Sequence, residues 1–248
     1  MSENQNAIKE ETVTYEAGGK TMRGFMAYQE GTAKRPAVIV VHEWWGLTEY
    51  PKMRARELAK LGYVAFAVDM FGGGDTATTT QQAQKMAGAF YTDPQLGKSR
   101  LDAGINFIKG NDRVDTSKLA AIGYCFGGSM VINGAKLGSD LDGVVSFHGG
   151  LQGPKPLKKE MVKAKFLVLN GEADSMVPAD QVANFKKEMT GAGLAYEFHS
   201  FPNAKHAFTN PASTANGEKF KIDIAYNKEA DMQSWQMMKD FLSRIFAN

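Results

Sequence analysis

Short apolar runs, each the length of one strand, alternate with stretches of helical periodicity along the 248 residues of this chain. The runs fall at residues 37–41, 63–68, 119–124, 144–147, 166–169 and 196–201. Most lack polar alternation, which suits strands buried on both faces, as in a parallel sheet covered by helices. Between them lie helix patterns. Residues 51–61 open with Pro51 and are followed by Gly62, and residues 96–109 place Leu101, Ile105 and Ile108 on one face. Residues 128–136 read as a helix of small residues. Asp180 is expected to cap a helix to about Thr190, and residues 229–246 carry a stripe of Trp235, Met238, Leu242 and Ile245. Residues 13–16 and 22–28 flank Gly18-Gly19 as a hairpin. Strands alternating with helices predict βαβ units, hence an α/β class with about eight mostly parallel strands. One domain over 1–248, with a polar tail over about 1–10, is the expected organisation. Residues 71–80 and 203–227 show no strong pattern, and loops of that length are usually functional.

Composition narrows the function. With 29 Lys+Arg against 27 Asp+Glu, nothing favours nucleic acid or an anionic membrane as a partner. The longest apolar runs fall far short of the ~20 residues of a spanning helix. The polar start has no apolar signal core, so a cytoplasmic location is expected, with an exported protein trimmed of its signal as the alternative. A single cysteine excludes an internal disulfide framework and any multi-cysteine zinc site.

That cysteine sits in Gly123-Tyr124-Cys125-Phe126-Gly127-Gly128, between a strand and a helix. This is G-x-C-x-G-G, the thiol form of a nucleophile elbow. Such a turn is sharp and strained, so its flanks at Gly123 and Gly127 must lack side chains. It sets the sulfur at a helix N-terminus, where the dipole favours a thiolate, and frees the Phe126 N–H for a developing oxyanion. A lone buried structural cysteine is the competing reading. Its partners downstream decide between them. Asn170-Gly171-Glu172-Ala173-Asp174 puts a carboxylate in the turn after a buried strand, with Glu172 as a rival to Asp174. Phe201-Pro202-Asn203-Ala204-Lys205-His206 puts a histidine in the loop after the last strand. Nucleophile, acid, histidine is the chain order of α/β-hydrolases.

With His42-Glu43-Trp44-Trp45-Gly46 and Lys205-His206-Ala207-Phe208 added, the chain resembles the dienelactone hydrolase family of α/β-hydrolases from about residue 10 onward. The resemblance implies an α/β-hydrolase fold and the roles of Cys125 as nucleophile, His206 as general base and Asp174 as its orienting acid. It also implies that Glu43 governs the protonation of the thiol, and that the Trp44 N–H joins that of Phe126 in the oxyanion hole. No cofactor is implied. The substrate class is a small ester, lactone or thioester, split through an acyl-enzyme, and a monomer is expected. A carboxylesterase-like enzyme, or a degenerate hydrolase serving as a binding or stress module, is the alternative.

One departure bears on the substrate. The family binds the carboxylate of a dienelactone with arginines, one of them four residues after the histidine, and Asn210 stands there. An amide offers no bidentate charged fork, which argues for a neutral or less charged substrate. Trp44, Trp45, Phe71 and Phe208 are expected as apolar pocket walls, and His148 as a pocket or packing residue. His42 is expected to pack under the oxyanion loop and His199 to be half-exposed. No histidine pair has metal-ligand spacing, so no metal is predicted. Gly72-Gly73-Gly74 lacks the Lys-Ser/Thr of a phosphate loop and reads as a flexible pocket rim.

Overall fold

Parallel pairing of the buried runs is the organising feature of the computed structural model, which describes residues 7–156 and 158–247. The strands are β1 (Ile8–Ala17), β2 (Lys20–Gln29), β3 (Arg35–Val41), β4 (Val64–Val68), β5 (Val114–Tyr124), β6 (Gly143–Phe147), β7 (Lys165–Gly171) and β8 (Tyr196–Phe201). They form one eight-stranded sheet in the order β1-β2-β4-β3-β5-β6-β7-β8. The β1–β2 hairpin joins antiparallel, and every pairing from β4 to β8 is parallel. All carboxyl ends of the parallel strands therefore meet at one edge, where ligands bind in open α/β sheets.

Helices α1 (Glu49–Lys60) and α7 (Lys228–Phe246) cover one face, and α2 (Thr80–Thr92), α3 (Pro94–Lys109), α4 (Phe126–Lys136) and α5 (Ala179–Gly191) the other. This double cover explains the unbroken apolar runs. In β3, Val38 and Val40 pack with Ala55, Leu58 and Met238, while Ile39 and Val41 pack with Leu101, Ile105 and Met130. Each such buried Val, Ile, Leu or Met side chain contributes about 1.5–3 kcal/mol.

Several expected boundaries shift. Residues 1–6 of the expected polar tail lie outside the described residues, and from Ile8 onward the tail is strand, because its backbone pairs with β2 from Gln29 back to Lys20. Its mostly exposed side chains hid it from a hydrophobicity reading. The first helix begins at Glu49, with Thr48 as N-cap and Pro51 inside the first turn. Pro178, in extended backbone, precedes α5, so Asp180 lies in the first turn, where its charge favours the helix dipole. Helix α2 was not foreseen: its buried side is only Ala83, Ala87 and Phe90. A further short helix, α6 (Ser213–Phe220), interrupts the expected 203–227 loop.

Candidate active site

Between the end of β5 and the start of α4 there is a single residue, Cys125, with φ 55° and ψ −116°. A side chain there is strained, and only tight surroundings sustain it. The flanking glycines supply the room. A Cβ on Gly123 would stand 2.1 Å from the Gly127 carbonyl oxygen, and one on Gly127 2.2 Å from that of Val41. The Cys125 N–H donates to the Phe147 carbonyl at 3.0 Å and to His148 Nδ1 at 3.1 Å, which holds the turn from behind.

The three residues expected at the site converge. His206 Nε2 lies 3.0 Å from Cys125 Sγ, and its Nδ1 lies 2.8 Å from Asp174 Oδ2. The other Asp174 oxygen accepts the Met176 N–H at 2.9 Å, so the carboxylate is oriented at both ends. Glu172 is exposed and the Asp174 side chain fully buried, which places Asp174 rather than its rival beside the histidine. Burial of His206 opposes a charged ring. Negative charge at Cys125 and the Asp174 carboxylate outweigh it and hold the ring's pKa well above the ordinary value.

Glu43, just past β3, is 3% exposed and accepts a hydrogen bond from Asn210 Nδ2 at 2.8 Å. Burial lifts its pKa from 4.5 to about 7, against the opposing pull of Asn210, His206 and Arg54. A carboxyl poised near neutral pH can hold or release a proton beside the site. His42 packs as expected under this loop: its ring stacks on Phe126 at 5.8 Å, and its Nε2 accepts the Met70 N–H at 3.1 Å. Burial pushes its pKa down to about 4, so it stays neutral at ordinary pH.

Cys125, His206, Glu43, Trp44, Trp45 and Asn210 all face one cavity of about 610 Å³. Among the described residues, no lysine or arginine lines it. Its remaining walls escaped the sequence reading. Gln84 and Tyr91 come from α2, Asn216 from α6, and Ile222 and Ile224 from the segment after α6. For α2 the only sequence signal was the spacing of Ala83, Ala87 and Phe90, with Thr79 as a cap accepting the Gln82 N–H.

Three expected pocket features lie elsewhere, and His148 takes the packing alternative. Phe71 is buried against His42, Phe90 and Phe126, and Phe208 against His148 and Phe201. Neither lines the cavity, because both rings are drawn into the apolar layers behind it. His148 is fully buried beneath the elbow, where it bonds the Cys125 N–H. The Gly72–Gly74 turn does not rim the pocket: Gly72 and Gly74 donate their N–H groups to the Asp69 carboxylate. His199 is half-buried against Phe201, at 4.4 Å between ring centres.

Among the described residues, no group of three or more His, Cys, Asp or Glu side chains is arranged to hold a metal ion, and no helix is long and apolar enough to cross a membrane. The parallel sheet, its two helical layers and the cysteine elbow at the carboxyl edge define an α/β-hydrolase fold. The sequence matches the dienelactone hydrolase family over residues 22–246, and the chain belongs to that family. It is 33% identical over 217 residues to a putative carboxymethylenebutenolidase of Methylorubrum extorquens, covering 83% of this chain and 71% of the relative. A putative carboxymethylenebutenolidase of Aquifex aeolicus is 27% identical, covering 92% of this chain and 96% of that one. Among solved structures, a dienelactone hydrolase-like promiscuous phosphotriesterase from metagenomic libraries superposes with a TM-score of 0.89 at 29% identity. That alignment covers 96% of this chain and 99% of the other. The protein is thus an ester or lactone hydrolase acting on a small-molecule substrate.

Proposed function

We propose that the chain hydrolyses a small neutral ester, lactone or thioester through a covalent acyl-enzyme on Cys125. The observation that carries this reading is the continuous line from Cys125 Sγ through His206 to Asp174, at 3.0 and 2.8 Å. His206 Nε2, 3.0 Å from Cys125 Sγ, is placed to take the thiol proton and so generate the nucleophilic thiolate. The thiolate attacks the carbonyl carbon, and the oxyanion is received by the N–H groups of Phe126 and Trp44. Phe126 is the first residue of α4, so its N–H has no partner within the helix. The intermediate collapses, the carbon–oxygen bond to the alkoxide breaks, and His206 Nε2–H protonates the leaving oxygen. A water then gives its proton to neutral His206 and its oxygen to the thioester carbon, and the thiolate departs with the imidazolium restored. Asp174 keeps the ring in register throughout.

The lining supports a neutral substrate. A carboxylate would lie beside Glu43 with no lysine or arginine to receive it, and Asn210 already gives its amide N–H to Glu43. The test is kcat/KM for p-nitrophenyl acetate against an anionic dienelactone. A preference for the neutral ester is expected, and a large preference for the dienelactone would overturn the reading. Iodoacetamide should abolish turnover in step with labelling of Cys125, whereas labelled protein with full activity would remove the cysteine from the mechanism.

A further inference from the structure

Behind the elbow lies a buried polar chain that the proposed chemistry does not use. His148 follows β6 at φ 42°, another strained residue at this edge, and its ring is fully buried. Its Nδ1 accepts the Cys125 N–H at 3.1 Å and therefore carries no proton. The ring proton must then sit on Nε2, which lies 2.8 Å from Thr209 Oγ1 and donates to it. Thr209 is three residues beyond His206 on the same loop and is itself fully buried. Its hydroxyl meets the Tyr50 hydroxyl at 2.6 Å, and Tyr50 accepts from Arg54 Nε at 3.2 Å.

Arg54 anchors the far end. Its Nη2 donates to the Thr209 carbonyl at 2.9 Å and pairs with Asp231, and its guanidinium lies 5.0 Å from the Trp235 ring centre. The His148 and His206 rings meet edge to face at 5.5 Å. Burial, with His206 and Arg54 nearby, drives the His148 pKa well below its ordinary value, so a second cation does not form beside the base.

We infer that His148 and Thr209 are positioning residues that clasp the strained Cys125 turn to the loop carrying His206, and so set the Sγ–Nε2 separation. This rests on the assignment of Cys125 and His206 as a nucleophile–base pair. The two halves of that pair come from different elements, the β5–α4 turn and the loop after β8. Besides the Sγ–Nε2 contact itself, the clasp is a polar path that joins them: one ring bonded to the backbone of the first and to a side chain of the second. Losing the Thr209 hydroxyl would leave the buried Nε2–H of His148 without an acceptor, and losing the His148 ring would leave the Cys125 N–H held by the Phe147 carbonyl alone, with no tie to the His206 loop.

The experiment compares the whole protein with Thr209→Val, Thr209→Ser, His148→Asn and the double variant His148→Asn/Thr209→Val. Valine matches the shape of threonine without the hydroxyl, and serine keeps the hydroxyl. Asparagine tolerates positive φ and keeps an acceptor near the turn, but is too short to reach Thr209. The first readout is the pH profile of iodoacetamide alkylation, which needs no substrate and reports one site, since the chain has a single cysteine. Thr209→Val and His148→Asn should each raise its midpoint by about half a pH unit or more, the double variant should add little, and Thr209→Ser should track the wild type. On p-nitrophenyl acetate, kcat should fall about tenfold in both single variants with KM within about twofold. Profiles of Thr209→Val and His148→Asn that superpose on the wild type would overturn the clasp, even if melting temperatures fall. Shifted alkylation profiles in an enzyme that splits no ester would uphold the clasp and overturn the hydrolytic reading instead.

Discussion

Two glycine-rich turns leave the same edge of the sheet and put opposite demands on their glycines. After β4, Gly72 and Gly74 take φ of 99° and 76°, curling the backbone around Asp69. That carboxylate accepts four N–H groups, from Arg23, Phe71, Gly72 and Gly74, at 2.8 to 3.0 Å. After β5 the glycines are needed for space, and the residue at positive φ is the cysteine itself. The first turn satisfies its central side chain from all sides and closes it off. The second satisfies the backbone of its central residue and leaves the sulfur facing a cavity, with His206 as its one hydrogen-bond partner among the described residues. A run of glycines therefore says little about chemistry until the group it encloses is known.

This contrast can be broken by substitution. The largest effect is expected at Cys125→Ala: kcat/KM for a neutral ester should fall on the order of 10³-fold or more, while the urea midpoint changes little. Stability loss as large as the activity loss would mean that the thiol is a packing residue. Gly127→Ala should cost about 3–5 kcal/mol or prevent folding, since its Cβ would enter the Val41 carbonyl oxygen. At the other turn, Asp69→Asn converts an acceptor of four N–H groups into one with an amine facing donors. A loss of about 2–4 kcal/mol is expected in urea unfolding, with kcat of the folded fraction within about threefold of wild type. A greater loss of kcat than of stability would join the two turns functionally.

The smallest effect is a pH dependence. The folded pKa of Glu43 is raised from 4.5 to about 7, so the folded state holds a proton that the unfolded state has released. Its contribution to stability is complete below about pH 4.5 and is lost as pH rises through 7. Glu43→Gln carries no such titration, so its stability relative to wild type should improve by roughly 3 kcal/mol or less between pH 4.5 and 8. Parallel stability–pH curves for the two proteins would contradict the buried, raised carboxyl.

Much of this site was legible because its chemistry is local in sequence. The elbow is written in consecutive residues from Gly123 to Gly128, and the acid and the base each follow a recognisable buried strand. Double-faced burial of β3 to β7 produced apolar runs that could hardly be read otherwise. Misreadings arose where burial is one-sided or side chains are small. Strand β1 exposes most of its residues, and α2 buries two alanines and a phenylalanine, so neither carries a strong pattern. Yet α2 brings Gln84 and Tyr91 to the cavity, and the unforeseen α6 brings Asn216.

The sequence by itself determined the doubly covered parallel sheet and the order of cysteine, carboxylate and histidine, because apolar runs and turn chemistry act over a few neighbouring residues. Only the tertiary structure decided which aromatic rings face the cavity, that Asn210 holds Glu43, and that His148 lies behind the cysteine rather than before it. Those outcomes depend on which strand ends and loops, dozens of residues apart, are brought within hydrogen-bond reach. No short stretch of sequence encodes that distance.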